Sequence, residues 1–171
     1  SIDKEKTKLY RRAMKLGRRV SLFLATGGGV GYAPWAPGTM GTVVGLPFCY
    51  GLAQLALPVA AAAIVIFIGL AIAIAGVAER ELKQKDPGCI VIDEIAGLMV
   101  TLVGLQWNLA TLIAGFIIFR VFDIWKPFPI RQIERRLTGG VGIVMDDVVA
   151  GILGHVALSI IIKLFEFSAG H

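Results

Sequence analysis

The stretch IVIDEIAGLMVTLVGL at residues 90–105 places two adjacent carboxylates, Asp93 and Glu94, inside an otherwise uncharged apolar run. An ionised side chain within a bilayer costs about 2.5 to 3.5 kcal/mol on insertion scales, and acids that persist there are usually functional. Neighbouring residues on a helix point about 100° apart, so both acids can border one cavity. We therefore expect an apolar helix that carries part of a functional site near its start.

The chain as a whole has the composition of a membrane protein. Hydrophobic residues make up 56% of its 171 residues and charged residues only 17%, whereas soluble proteins average about 25% charged. Its mean hydropathy is +0.77. Further apolar segments lie at 43–57, 59–78, 109–125 and 143–165. The predicted fold is all-α, an integral membrane helical bundle with about four to five spanning or re-entrant helices, since several segments are shorter than a perpendicular span.

The N-terminal segment is basic and amphipathic. Eight of the 17 Lys and Arg precede residue 20, and apolar positions recur at helical spacing through residues 5–24. This pattern predicts an interfacial helix on an anionic membrane surface and argues against nucleic acid as the partner. We expect residues 1–26 to form this segment and 27–171 to form one membrane domain. The Gly- and Pro-rich stretch 27–42 predicts a loop without regular helix.

The charge distribution orients the segments. Basic residues concentrate before residue 20, at 80–85 and at 126–136, which the positive-inside rule places on the cytoplasmic side. Turns at Pro58 and at 105–108 then lie on the opposite side. Under this topology six carboxylates from separate parts of the chain converge at the cytoplasmic face: Asp86, Asp93, Glu94, Asp123, Asp146 and Asp147.

Converging carboxylates favour a divalent cation. Mg²⁺ takes oxygen ligands and shares phosphate oxygens of a substrate, whereas unneutralised acids at close range would repel one another. Arg120 and Lys126 are suited to hold an anion beside it. The chain carries no GxGxxG or P-loop motif and no HExxH or GxSxG motif. Metal-assisted phosphoryl chemistry is the class that remains.

Structural alternatives stay open for most of these residues. Asp86 before Pro87 also fits a helix N-cap with proline at the first helical position. Arg120 and Asp123, three residues apart, could simply neutralise each other. One acid of the Asp146 and Asp147 pair could stabilise a helix start. Other residues are expected to be structural or solvated: the reduced cysteines Cys49 and Cys89, a core His155, and the charged pair Glu79 and Glu81.

Four motifs together resemble the bacterial phosphatidylglycerophosphatase A family. They are PWAPGTMGT at 34–42, DPGCIVIDEIAG at 86–97, FRVFDIWKPFPI at 119–130 and GGVGIVMDDVVAG at 139–151. The resemblance implies a helical inner-membrane enzyme that uses Mg²⁺ to hydrolyse the terminal phosphomonoester of phosphatidylglycerophosphate. Thr42 stands where the family motif has serine, which keeps the hydroxyl. The site residues that the resemblance implies are Thr39, Asp86, Asp93, Glu94, Arg120, Asp123, Lys126, Asp146 and Asp147.

The resulting hypothesis assigns a role to each residue. The metal ligands are drawn from the six acids, and Glu94 or Asp123 deprotonates the attacking water. Arg120, Lys126 and Thr39, aided by backbone N–H groups of the 27–41 loop, bind the phosphate. The partners are a membrane phospholipid and the bilayer, and the multi-pass protein lies in the bacterial inner membrane with its site facing the cytoplasm. Two other functions stay open, a small cation-coupled transporter and a non-catalytic subunit of a phospholipid-synthesis complex.

Overall fold

The computed structural model describes the backbone of residues 2–169 and the side chains of residues 14–168. Within that range the chain forms α-helices joined by short turns and contains no strand, which confirms the all-α prediction. The helices are α1 (Ile2–Ala25), α2 (Pro37–Ala53), α3 (Leu57–Leu82), α4 (Ile92–Leu102), α5 (Leu109–Trp125), α6 (Ile130–Arg136) and α7 (Gly139–Ala169), with a single 3₁₀ turn at Val30–Tyr32.

Two of the described helices are long and apolar enough to cross a membrane. The windows in Leu57–Leu82 and Gly139–Ser168 have mean hydropathies of 2.8 and 2.2, and only 17% and 28% of them is buried inside the protein. Their surfaces therefore face outward, as expected for contact with lipid. The predicted total of four to five spanning or re-entrant helices stays a prediction, because α2, α4 and α5 are shorter.

Three helix starts differ from the sequence expectations. Helix α2 begins at Pro37, inside the stretch expected to be a loop, because Ala36 takes a left-handed backbone (φ 45°) and Pro37 suits the first turn. Helix α4 begins only at Ile92, so Asp86 is not an N-cap and has a φ of 47°. Helix α7 begins at Gly139, so Asp146 and Asp147 lie about two turns inside it and neither stabilises its start.

Helix α4 is the centre of the bundle. Nine of its eleven residues are buried, and α2, α3, α5 and α7 all pack against it. Its two acids therefore lie in the interior of the protein although they occupy its first turn.

Helices α4 and α7 run parallel and approach closely through glycines. A Cβ on Gly97 would overlap the Phe119 ring, and a Cβ on Gly151 would overlap the carbonyl oxygen of Gly97. One turn further along, His155 Nδ1 lies 3.1 Å from the carbonyl oxygen of Thr101. One turn back in the same register, Asp93 faces Asp147. The glycine contact thus sets two acids opposite each other. His155, expected to be a core histidine, is half-buried and has a hydrogen-bond partner in α4.

Helix α1 lies along α3, with Arg18 Nε 3.1 Å from Glu81 Oε1. Its apolar side chains Leu16, Val20 and Phe23 are exposed at helical spacing, as an interfacial helix requires. The side chains of residues 1–13, which carry most of the predicted basic cluster, lie outside the described residues. The division into segments 1–26 and 27–171 stays a prediction.

Candidate metal and phosphate site

Three carboxylates meet where α4 and α7 face each other. One oxygen each from Asp93, Glu94 and Asp147 lies within 4.8 Å of the others. Asp93 is 8% exposed and Asp147 3% exposed. We call these three residues the carboxylate cluster.

The cluster has the unmet acceptors that a cation would satisfy. Asp93 Oδ1, Glu94 Oε2 and Asp147 Oδ2 are buried and have no hydrogen-bond partner among the described residues. A buried polar atom without a partner costs about 1 to 3 kcal/mol, and more when it is charged. An all-oxygen, acidic ligand set is the type that Mg²⁺ prefers. The residues present therefore fit a divalent cation.

Arg120 and Asp123 border the cluster from the end of α5. Arg120 Nη1 lies 2.5 Å from Asp123 Oδ2 and 3.8 Å from Glu94 Oε1. Asp123 is also an electrostatic neighbour of Asp147. The ion pair that could have been purely structural thus places a guanidinium at the edge of the cluster. Arg120 Nε is itself buried and has no hydrogen-bond partner within the part of the chain that the structure describes.

Asp146 and Lys126 form a separate group beside the cluster. Lys126 Nζ lies 2.7 Å from Asp146 Oδ2 and 2.9 Å from Glu134 Oε1. Burial of Lys126 lowers its pKa, but the hydrogen bonds and charges of Asp146 and Glu134 outweigh burial and raise the pKa above its ordinary value. Asp146 points away from Asp147 because adjacent helical residues diverge by about 100°. Glu134 was not predicted, since nothing in IRQIERR distinguishes it from a solvated charge.

Asp86 lies in the exposed turn before α4 and outside the carboxylate cluster. Its backbone N–H donates to Glu79 Oε1 at 3.2 Å, so Glu79 is not the idle solvated charge that the sequence suggested. Asp86 and Asp146 both line a polar cavity of about 380 Å³. The other charged residues lining this cavity are Glu79, Lys85, Glu134 and Arg135. Of the six predicted acids, Asp86 is therefore near Asp146 in the polar cavity and not in the carboxylate cluster.

The glycine-rich loop packs against the turn before α4. A Cβ on Gly31 would overlap the carbonyl oxygen of Cys89, and a Cβ on Gly41 would meet Val91 at 2.5 Å. The N–H groups of Gly28 and Gly31 donate to the carbonyl oxygens of Phe23 and Thr26. These two N–H groups are therefore not available to a phosphate, which leaves other N–H groups of the 27–41 segment as candidate donors.

The beginning of α2 is the part of this segment that reaches the cluster. A Cβ on Gly38 would overlap Glu94 Oε1 and lie 3.1 Å from Arg120 Nη1. The first turn of a helix leaves its N–H groups without intrahelical acceptors, so those of Gly38 and Thr39 are the candidates for an anion. Thr39 is half-buried and lines the same groove as Arg120.

Comparison with known proteins identifies the family of the chain. The family model described as Phosphatidylglycerophosphatase A matches residues 23–162. The chain belongs to this family. It is 38% identical to Phosphatidylglycerophosphatase A of Escherichia coli K12 over 131 residues, which is 76% of each chain. It is 36% identical to Phosphatidylglycerophosphatase A of Haemophilus influenzae over 138 residues, or 75% of this chain and 80% of that protein.

A further relative carries a different name. A Bacteroides thetaiotaomicron protein named "Putative phosphatidylinositol-3-phosphatase" is 32% identical over 154 residues, covering 86% of this chain and 96% of that protein. No solved structure matches this one significantly.

The four phosphatidylglycerophosphatase A motifs meet in space. The first forms the beginning of α2, the second the turn and first turns of α4, the third the end of α5 and the following turn, and the fourth the first half of α7. Gly38, Glu94, Arg120 and Asp147 come one from each motif and surround the same cluster. The convergence predicted from topology is therefore present, although the acids divide between the cluster and the polar cavity.

Gly38→Ala should lower kcat/KM by about 100-fold, because its Cβ would displace Glu94 and Arg120 and displacements of about 1 Å can have that effect. Alanine in a helix is more favourable than glycine by about 1 kcal/mol, so the helix itself should not unfold. Steady-state phosphate release measures the change. Gly51→Ala is the matched control in α2, because a Cβ there meets nothing within 4 Å. Equal activity of the two variants would show that Gly38 does not pack against the site.

Proposed function

We propose that the protein is a lipid phosphatase that hydrolyses the terminal phosphomonoester of phosphatidylglycerophosphate to phosphatidylglycerol and phosphate. Membership of the phosphatidylglycerophosphatase A family supports the reaction and the lipid class. The single observation that carries the proposal is the buried carboxylate cluster with unpartnered oxygens beside Arg120. It provides a candidate cation site and an anion-binding side chain next to each other, the combination that metal-assisted phosphomonoester hydrolysis uses.

Asp93, Glu94 and Asp147 would hold the metal ion, which we propose to be Mg²⁺. When bound, Mg²⁺ supplies charge neutralisation on the phosphate oxygens and lowers the pKa of a coordinated water. Asp123 is the carboxylate next to the cluster and is oriented by Arg120. It is therefore better placed than Glu94 to accept a proton from the attacking water, because Glu94 belongs to the cluster.

Several groups around the cluster would bind the phosphate. Arg120 would neutralise charge on the phosphate through a guanidinium that already reaches Glu94. The N–H groups and hydroxyl at the beginning of α2, at Gly38 and Thr39, would add neutral donors. Lys126 would hold Asp146 in place and contribute positive charge from the polar-cavity side. Asp86 and Asp146 remain candidates for a second ion at that cavity.

Asp147 lies about two turns from the start of the long apolar helix α7, and Glu79, near the end of the long apolar helix α3, lines the neighbouring polar cavity. We propose that the protein is multi-pass in the bacterial inner membrane, that residues 27–171 form the catalytic domain, and that residues 1–26 lie on the cytoplasmic surface. The basic residues around α6 and before α4 favour this orientation by the positive-inside rule. A lipid phosphate would then meet the cluster at headgroup depth.

Phosphate release by the purified protein in detergent tests the proposal. We expect release from phosphatidylglycerophosphate with Mg²⁺ and none with EDTA. Phosphatidylinositol 3-phosphate is the comparison substrate, because one relative bears a name with that headgroup. Exclusive release from it would replace the proposed substrate. Absence of release from either lipid would favour the cation-coupled transporter or the non-catalytic subunit.

Mg²⁺ should raise the thermal stability of the wild-type protein, because a ligand at 100 times its Kd stabilises a fold by about 2.7 kcal/mol. Asp93→Asn should lose this increase. In EDTA the same variant should be at least as stable as wild type, because one of three close negative charges is removed. Fluorimetric melting in detergent with and without Mg²⁺ measures both effects. A variant that retains the full Mg²⁺ shift would exclude Asp93 as a ligand.

A further inference from the structure

A groove that includes Arg120 lies on the outer face of α5. This groove of about 430 Å³ is lined by Thr39 of α2 and by one face of α5 between Phe116 and Trp125. Apart from Thr39 and Arg120, every residue lining it is apolar. The groove is thus mainly apolar, whereas the polar cavity at Asp146 is lined by several charged side chains.

The groove exists because α2 and α5 do not close against each other. Both helices pack on α4, but they have almost no direct contact with one another. Ile117, Val121 and Ile124 follow each other at helical spacing on α5 and are 55%, 51% and 71% exposed. In a membrane-embedded protein this apolar face would contact lipid rather than water.

The inner end of the groove is charged. Arg120 lies on the same face of α5 as the apolar residues and reaches both Asp123 and Glu94. Thr39 lines the groove as well, next to Gly38, where the absence of a side chain lets α2 approach Glu94 and Arg120 closely. The groove therefore runs from an apolar surface to a cation beside the carboxylate cluster.

This arrangement is complementary to one class of ligand, a phospholipid with an anionic phosphomonoester. An acyl chain matches the apolar wall, and the phosphate matches Arg120. We propose that the substrate lipid reaches the cluster sideways from the membrane between α2 and α5, with one acyl chain lying against Ile117 and Val121. This inference rests on the proposed function and adds the binding site for the lipid tail.

The test compares a long-chain and a short-chain substrate. Ile117→Trp and Val121→Trp fill the groove, while Ile66→Trp adds the same bulk to an exposed position of α3 away from it. We expect both groove variants to lose about tenfold or more in kcat/KM for dioleoyl phosphatidylglycerophosphate, as steric exclusion from an apolar pocket does. With the soluble dihexanoyl analogue they should stay within about twofold of wild type, as should Ile66→Trp with either substrate.

Activity on the short-chain substrate also reports that each variant is folded. Unchanged long-chain kinetics in both groove variants would overturn the inference, and so would equal losses on the two substrates, since the added bulk would then act on the cluster and not on an acyl chain. Failure of the proposed function has a different signature, namely no Mg²⁺-dependent phosphate from wild type with either chain length. That result would overturn the inference as well.

Discussion

Asp147→Asn is expected to lower phosphate release by at least about 10³-fold, which corresponds to about 4 kcal/mol of lost transition-state stabilisation. Asp147 is 3% exposed, and its Oδ2 has no hydrogen-bond partner among the described residues. Asparagine keeps the size of the side chain but removes the charge and replaces one ligand oxygen by an NH₂ group. The cluster would then hold a divalent cation far more weakly, while the packing between α4 and α7 stays intact.

The measurement is kcat/KM with Mg²⁺, together with the melting temperature in EDTA. The folded variant should melt at or above the wild-type temperature, because a repelling charge is gone. Glu166→Gln is the matched control, since Glu166 lies on the same helix and is exposed. Activity of Asp147→Asn within tenfold of wild type would contradict a catalytic cation at this position.

Arg120→Lys should reduce kcat by about 100-fold although the positive charge is kept. The guanidinium contacts Asp123 and Glu94 at the same time, and a lysine ammonium cannot reproduce planar, bidentate recognition of a phosphate. Removal of one preorganised charge-stabilising donor typically changes kcat by about 10²- to 10³-fold. Arg120→Ala should be worse, because it leaves two half-buried acids without their counter-charge.

Separate values of kcat and KM distinguish this role from a structural one. A loss confined to KM would mean that Arg120 binds ground state and transition state equally. Arg136→Lys, at an exposed position of α6, is the control for the chemical change itself. Wild-type kcat in Arg120→Lys would show that Arg120 only neutralises Asp123.

Sequence reasoning predicted the convergence of the site because topology depends on few features. Apolar segments, turns near Pro58 and 105–108, and the positions of basic residues were enough to bring Asp93, Glu94, Asp123 and the pair Asp146 and Asp147 to one end. The structure has its turns at these places. The family resemblance, read from four motifs, is confirmed by the match over residues 23–162.

The division of labour among the acids could not be read from the sequence. Helical periodicity predicts that the side chains of Asp146 and Asp147 point in different directions, but it does not predict which of them faces α4. That choice depends on the contact between Gly97 and Gly151, a packing contact between residues far apart in the chain. The ion pair between Lys126 and Glu134 was not predicted for the same reason. It forms only because the turn at 126–129 reverses the chain direction and brings Glu134 back to Lys126.

The predicted starts of α2 and α4 were wrong. Composition could not reveal that Ala36 adopts a left-handed conformation and lets α2 begin at Pro37. Asp86 followed by Pro87 is a pattern typical of a helix N-cap. In the structure Asp86 instead lies in an exposed turn, where its backbone N–H donates to Glu79. The start of α2 therefore depends on the backbone conformation of one residue, whereas at Asp86 a contact with Glu79 outweighs the local N-cap preference.

The most direct test of the account is the location of a bound divalent ion. Crystals of the wild-type protein grown with Mn²⁺ in place of Mg²⁺ would reveal the ion by anomalous scattering. We expect a peak bounded by Asp93, Glu94 and Asp147 that is absent from Asp147→Asn crystals grown in the same way. A peak found only in the polar cavity between Asp86 and Asp146, or no peak at saturating Mn²⁺, would contradict it.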